Sequence, residues 1–571
     1  MKTMIKIKLA CLLLISFTAC NFLDKQPHEL TPETYFNNES ELQLFLTGVY
    51  SPLGQENFYG NYYPLYNSGG DDLSFFQRAN PTQSIICGNA NNSNEFVTAF
   101  WRVLYDGINR ANILIENVDR NTEITESFRN QVKAEALFLR GFYYFNLVQA
   151  FGDVPFRIQA VQSVNNLALP RTDKQEIYEQ IIQDITTSIP NLRSASNTNP
   201  GYVTQSAAKG ILARIYLFRA GEHFRDKKPA GSEVQNYFVQ ARKWALEVRD
   251  SQIHGLVSDY SQVFIDMAQD KYNSTGVKES IWEAELAGNR ISQPDWAAGR
   301  IGNVIGFGST VDHSAIAAVK DLTGIKNPGY SYRFVYASTK LYDMYRTEGD
   351  SVRSQWNIAP YEYKFATGGN RELIGIEYFY GKKPIGLTQI DGVPVTELAQ
   401  TASRTEVRSA AKYRRELEQV IPKNKNYTPI NFPILRYSDI LLMIAETENE
   451  INNAPTQLAY DALNEVRRRA KLQEYSASSG LTKDSFRDVI KNERAMELCF
   501  EAIRRWDLVR WGDFHSTMQA MRSVVATNEN WIATFKYASN YYNVSEHYNY
   551  FPIPSLEMSV NNQITSNNPG W

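Results

Sequence analysis

Apolar residues recur at three- and four-residue spacing through two adjacent stretches near the front of the chain. In the first, Phe96, Phe100, Leu104, Ile108, Ala111 and Ile115 fall on one stripe. In the second, Val132, Ala136, Leu139, Tyr143 and Leu147 do the same. Such spacing puts the apolar residues on one face of a helix. The polar break at 121–126 folds the two helices into a hairpin, and Gly107, Ala111, Ala134 and Gly141 allow their axes to approach closely. Gly152 ends the second helix and Pro155 prevents a restart. The same pattern predicts helices over Asn38–Tyr50, Glu176–Ile189, Gln205–Ala220, Val234–Arg249, Tyr437–Asn452, Gln457–Leu472 and Thr482–Trp511. Between residues 251 and 430 the rhythm is lost. Gly and Pro punctuate short apolar runs such as Ser280–Ala284, and 526–571 is aromatic and mostly non-helical. The stretch 51–94, rich in Gly, Asn and aromatic residues, reads as a long loop, and so long a loop is seldom idle.

One helix hairpin cannot cover its own apolar stripe, so further hairpins must stack beside it. These pairs look like tetratricopeptide repeats of degenerate spacing; the alternative is an irregular helical bundle. The expected fold is therefore mostly α, with tetratricopeptide-like helical hairpins and a large loop-rich region. A single unit is expected over 35–571. Its scaffold lies at about 35–250 and 431–525, and its loop-rich parts at about 51–94 and 251–430.

Composition narrows the chemistry. The 571 residues carry a formal net charge of -3, which gives no argument for a nucleic-acid partner. The four Cys form no C-x-x-C pair and the six His are scattered, so neither a metal site nor a cofactor is expected. At the front, Lys2, Lys6 and Lys8 precede the apolar run Leu9–Phe17. This is an export signal over residues 1–19, too short for a membrane span. Phe17-Thr18-Ala19-Cys20 resembles a bacterial lipobox, which would make Cys20 a lipidated N-terminus bearing fatty-acyl groups such as palmitate. The alternative is an ordinary secretory signal. Residues 20–34 then form a tether.

Several short stretches, taken in order, resemble the SusD/RagB family of outer-membrane nutrient-binding lipoproteins. They include Cys20-Asn21-Phe22-Leu23-Asp24, Gly107-Ile108-Asn109-Arg110-Ala111-Asn112, and Phe138-Leu139-Arg140-Gly141-Phe142-Tyr143-Tyr144-Phe145. Further on stand Leu435-Arg436-Tyr437-Ser438-Asp439, Arg505-Trp506-Asp507-Leu508-Val509-Arg510-Trp511, and a closing Asn568-Pro569-Gly570-Trp571, where the family usually ends in Tyr. The resemblance implies about four tetratricopeptide-like helix pairs forming a cradle, in a lipid-anchored protein exposed at the cell surface. It implies capture of oligosaccharides or polysaccharides, or in some members peptides, and delivery to a SusC-like TonB-dependent transporter. It implies no catalysis.

Glycan capture needs flat apolar faces for the C–H face of a sugar, edged by groups that bond hydroxyls. Two loops offer both: Asp71, Asp72, Phe75, Phe76 and Arg78 with Asn89, Asn91 and Asn92, and the segment around Trp296 with Arg300. Tyr330 and Tyr332 are further ring candidates. Each has a structural alternative: a ring tucked into the core, or a Gly-Gly-Asp turn. Glu497, Glu501 and Arg505 stand at four-residue steps, which puts them on one helix face as ion pairs locking neighbouring helices. A glycosidase would instead need two carboxylates facing each other across a cleft, and no such arrangement is legible.

Overall fold

The computed structural model describes residues 35–78, 88, 90–163, 165, 167–228, 231–272, 276–288, 297–306, 329–358, 408–420, 423–527 and 533–571. It also gives the backbone of short strands between 361 and 400. The chain is mostly helical. The scaffold helices are α1 (Glu39–Gly54), α2 (Tyr62–Gly69), α3 (Glu95–Asn117), α4 (Glu126–Phe151), α5 (Lys174–Ser188), α6 (Gln205–Arg225) and α7 (Ser232–Asp250). A short α8 (Gln262–Gln269), α9 (Thr339–Glu348) and α10 (Ser351–Asn357) lie in the middle. The C-terminal set is α11 (Tyr437–Asn452), α12 (Gln457–Arg469), α13 (Lys483–Leu498), α14 (Arg504–Arg510) and α15 (Phe514–Thr527). Consecutive helices pack as antiparallel neighbours. α3 lies on α4, α4 on α5 and α6 on α7; α7 then meets α11, which carries α12 and α13. The last scaffold pair is therefore supplied by the far end of the chain.

The hairpin of α3 and α4 forms for the reasons its sequence gives. Asn94 caps α3 by accepting the amide hydrogens of Phe96 and Val97 at 3.1 Å, and Gly152 stops α4 at φ 71°. At Gly107 a Cβ would stand 2.5 Å from the Tyr143 ring of α4, so the close approach needs glycine there. Overpacking at such a contact costs about 1–3 kcal/mol. Gly141 serves a different interface from the one expected. It faces Ile181 and Ile185 of α5, not α3.

Two stretches depart from the sequence reading. The segment 51–94 is not one loop: α1 runs on to Gly54, and α2 and a strand, β1 (Ser74–Phe76), follow. The stretch Thr482–Trp511 is not one helix. α13 stops at Leu498, and Phe500 and Ala502 take left-handed φ values of 63° and 59° before α14 begins. The i, i+4 ladder of Glu497, Glu501 and Arg505 therefore does not exist. The turn is instead what brings Glu501 inward to charges from other elements.

Those charges fasten the irregular middle to the back helices. Strand β2 (Ser280–Ala284) pairs antiparallel with β4 (Phe432–Arg436), placing Trp282 opposite Leu435; β3 (Val335–Ala337) is described below. Arg436 bonds Glu279 at 2.7 Å, Glu497 at 3.2 Å and Glu501 at 2.8 Å. Arg353 of α10 reaches Glu493 at 2.7 Å and Glu497 at 3.2 Å, and Lys412 reaches Glu501 at 2.6 Å. Arg469 of α12 bonds both Glu279 and Glu497. Burial alone would raise the Glu497 carboxyl, but Arg469, Arg436 and Arg353 overcome it and hold it well below the usual carboxylate range. Such a network adds little over an apolar core, yet removing one partner costs about 3–5 kcal/mol because a buried charge is stranded. The expected ion pairs form at Glu497 and Glu501, with partners from other elements rather than along one helix face, whereas Arg505 donates to the Tyr548 carbonyl at 2.9 Å. Among the described residues no helix is long and apolar enough to cross a membrane.

Candidate functional site

Strands β1 and β3 form a two-stranded antiparallel ribbon with Ser74 opposite Ala337, Phe75 opposite Tyr336 and Phe76 opposite Val335. The pairing runs past the strand ends. The Gln77 amide donates to the Phe334 carbonyl at 2.8 Å, and the Gln77 side chain donates to the Tyr332 carbonyl at 2.7 Å. The chain leading into β3 carries Tyr330, Tyr332 and Phe334, with Arg333 in left-handed backbone at φ 50° between the last two. Their rings form a row. Tyr330 meets Tyr332 edge-on at 4.7 Å, and Tyr332 stacks on Phe334 at 5.1 Å with planes 9° apart. Phe334 stacks on Phe76 at 5.2 Å, and Phe76 in turn lies 6.4 Å from Tyr541. The front three rings are half-buried, whereas Phe76 and Tyr541 are sealed behind them. Tyr537, also half-buried, extends the arc 6.1 Å beyond Tyr541.

Polar groups edge this row. The exposed Arg78 guanidinium lies 4.7 Å over the Phe334 ring, and Lys425 lies 5.5 Å over Tyr330. The Tyr332 hydroxyl donates to the Asn426 side chain at 3.3 Å. The loops are held from beneath by Arg415, whose guanidinium donates to the carbonyls of Tyr330 at 2.6 Å and Asn424 at 2.7 Å. Its charge is met by Glu418 at 2.7 Å. Gly329, at φ 72°, lets the chain pass over the Arg415 side chain, where a Cβ would come within 3.0 Å. Arg415 thus positions the rings rather than touching what they face.

The residues singled out from the sequence divide sharply. Tyr330 stands in the ring row, and Arg78 stands at its edge. Phe75 and Phe76 are corrections. Both are buried, Phe75 against Tyr336 and Phe535, because the β1–β3 ribbon turns them into the body. Asp71 and Asp72 are corrections as well. The Asp71 carboxylate accepts the Leu73 amide at 2.9 Å, the turn that a Gly-Gly-Asp sequence allows. Asp72 bonds Arg504 of α14 at 2.8 Å and also Lys340 of α9. Burial pushes the Asp71 carboxyl well above its ordinary range, with Asp72 adding to it. For Asp72 the same burial is overcome by Arg504 and Lys340, which hold it well below that range. Asn91 is exposed at the entry to α3, where its side chain accepts the Ser93 amide at 3.0 Å. Arg300 pairs with Glu56 at 3.1 Å. Trp296, Asn89 and Cys20 lie outside the described residues. Phe334, Arg415 and Tyr537 were missed. The alternation Tyr-x-Tyr-x-Phe over 330–334 was a visible signal for Phe334, and nothing local marked Arg415.

As a surface, the arc offers flat apolar faces bordered by hydrogen-bond donors. Glu418, beneath the row, is committed to its ion pair with Arg415.

Comparison with known proteins agrees with this architecture. The model of the SusD family matches residues 278–571, and a model described as starch-binding, associating with outer membrane, matches residues 21–217. SusD-like protein P2 of Formosa agariphila is 26% identical over 98% of this chain and 98% of its own. The starch-binding protein SusD of Bacteroides thetaiotaomicron is 23% identical over 83% of this chain and 78% of its own. The crystal structure of a SusD homolog from Bacteroides thetaiotaomicron superposes with a TM-score of 0.77 at 26% identity, covering 95% of this chain and 98% of that one. The class defined by these matches is a helical scaffold carrying a loop-rich face. The chain belongs to the SusD family.

Proposed function

We propose that this chain is a non-catalytic glycan-binding protein of the outer membrane. In this reading it is anchored at the cell surface through a lipidated Cys20 and passes oligosaccharides to a SusC-like TonB-dependent transporter. The observation that carries the reading is the row of half-buried rings at Tyr330, Tyr332 and Phe334, backed by sealed rings and edged by Arg78. Sugar rings stack their C–H faces on such a row while hydroxyls meet the guanidinium and amide edge. Family membership supports the choice of ligand, since relatives carry starch-binding names. Trp296 and Asn89 remain proposed contributors to the same face.

Each stacking contact is weak, so affinity for a single chain is modest. Tethering beside a transporter raises the effective concentration and makes that sufficient. Calorimetric titration of the mature protein against a panel of polysaccharides and their oligomers tests the reading. Heat is expected with at least one glycan and unshortened product afterwards; no heat with any of them sinks it. Labelling of cells with an alkynyl fatty acid tests the anchor. The label is expected on the wild type and lost in Cys20→Ser; an unlabelled wild type refutes lipidation.

A further inference from the structure

A second pocket lies apart from the ring arc and shares none of its residues. It encloses about 360 Å³ between the loop 193–202, the end of α8 and the first part of β2. That volume sits at the low end of small-ligand sites, about 300–1,000 Å³, which suits one or two sugar rings rather than a long chain. Two partly exposed tyrosines flank it: Tyr202 is 39% exposed, packed edge-on against Tyr50, and Tyr272 is 43% exposed.

The charges around the pocket decide what it takes. Its bases are already engaged. Arg193 donates to Glu135 at 3.1 Å and stacks 4.5 Å over the Tyr202 ring. Lys278 donates to the Ala195 carbonyl at 2.7 Å, and Lys271 to the Gln269 side chain at 2.5 Å. Lys271 and Lys278 keep their charges but are held by protein acceptors, and Lys271 acts on the Asp266 carboxylate beside it. What remains is neutral or acidic: the Asn197 and Asn199 amides, Asp266, Glu283 and His254. Buried His254 donates its Nδ1 hydrogen to the Lys278 carbonyl at 3.2 Å, while its Nε2 has no partner among the described residues. Buried Glu283 accepts from the Asn431 amide at 3.1 Å.

We propose that this pocket is a second ligand site, taking a neutral mono- or disaccharide whose ring face stacks on Tyr202 or Tyr272 and whose hydroxyls meet Asn199, Asp266 and Glu283. The choice of a sugar rests on the glycan reading of the whole protein, but the location and the neutral character do not. Burial pushes the Glu283 carboxyl up to about 7 and the His254 imidazole down to about 4. Near neutrality the floor therefore holds an uncharged imidazole and a carboxyl that both donates and accepts, which matches hydroxyls.

Tyrosine nitration of the full chain with tetranitromethane, read residue by residue by mass spectrometry, separates the two sites. The probes are maltose, cellobiose, laminaribiose and mannobiose. At least one is expected to slow nitration of Tyr202 and Tyr272, by about threefold at twice its Kd. Asn197→Trp, at an exposed rim position, is expected to abolish that protection and leave Tyr332 unaffected. Protection at Tyr332 with none at Tyr202 and Tyr272 overturns the second site and keeps the ring platform. Protection at Tyr202 and Tyr272 alone does the reverse, and protection nowhere overturns both. Full protection at Tyr202 and Tyr272 in Asn197→Trp also overturns the pocket assignment.

Discussion

The two strands of one ribbon, 71–78 and 329–336, are alike on paper. Each starts beside glycine, sets rings among polar residues and carries arginine. They are opposite in the fold. The first turns Phe75 and Phe76 inward, with Asp72 locked to Arg504 of α14 and Lys340 of α9. The second leaves Tyr330, Tyr332 and Phe334 half in water over a base organised by Arg415. The difference lies in what stands behind each strand. The first faces the helical body, which supplies both an apolar wall and paired charges. The second also lies on α2 over Val335–Ala337, but its 330–334 stretch is held through its backbone by residues 303–304 and by Arg415, and leaves its rings half open. A ring stays open to solvent here where its surroundings cover one side, and residue type alone does not report that.

Breaking the first strand should cost stability and spare binding. Asp72→Ala strands Arg504 and Lys340, so we expect a loss of about 3–5 kcal/mol in urea unfolding. The fraction still folded should bind glycan as the wild type does. Weakened binding at full stability would mean that Asp72 faces ligand. Arg415→Ala attacks the second strand from below. It leaves Glu418 buried without its partner, for an expected loss of about 3 kcal/mol, and frees the carbonyls of Tyr330 and Asn424. Here affinity should fall together with stability; affinity unchanged in the folded fraction would show that the rings need no such base.

The smallest effect separates the two neighbouring aspartates by pH. Asp72 has its folded pKa depressed below its ordinary 3.8, so its contribution is present above that value and is lost as pH falls through the folded pKa. Asp71 has its folded pKa raised, so its contribution is present below 3.8 and is lost as pH rises through the folded pKa. Asp71→Asn, which keeps the acceptor for the Leu73 amide, should therefore raise the urea midpoint at pH 7 and leave it nearly unchanged at pH 3. A lower midpoint at pH 7 would show the carboxylate to be stabilising.

The scaffold was the legible part. Period-3.6 stripes marked α1, α3 to α7 and α11 to α13, because each helix buries one face and local spacing records it. The break after α13 was not legible. Phe500 and Ala502 adopt left-handed backbone that neither residue type signals, and the turn is held by distant Lys412 and Arg436. The candidate site was legible in kind but not in place. Tyr330 and Arg78, proposed from type and spacing, stand at the open ring row. Phe75, Phe76, Asp71 and Asp72 looked equivalent to them, and only long-range partners such as Arg504 turned them inward. Arg415 was hidden for the same reason, since its carbonyl partners lie in other loops.

The platform itself is tested most directly by calorimetry on Tyr332→Ala/Phe334→Ala, using the glycan that gives heat with the wild type. Removing two stacking rings should weaken binding at least about tenfold, a loss near 1.4 kcal/mol, with the helical circular dichroism retained. Affinity within about twofold of the wild type, on a protein that keeps its helical signal, would contradict the assignment of this ring row as the glycan surface.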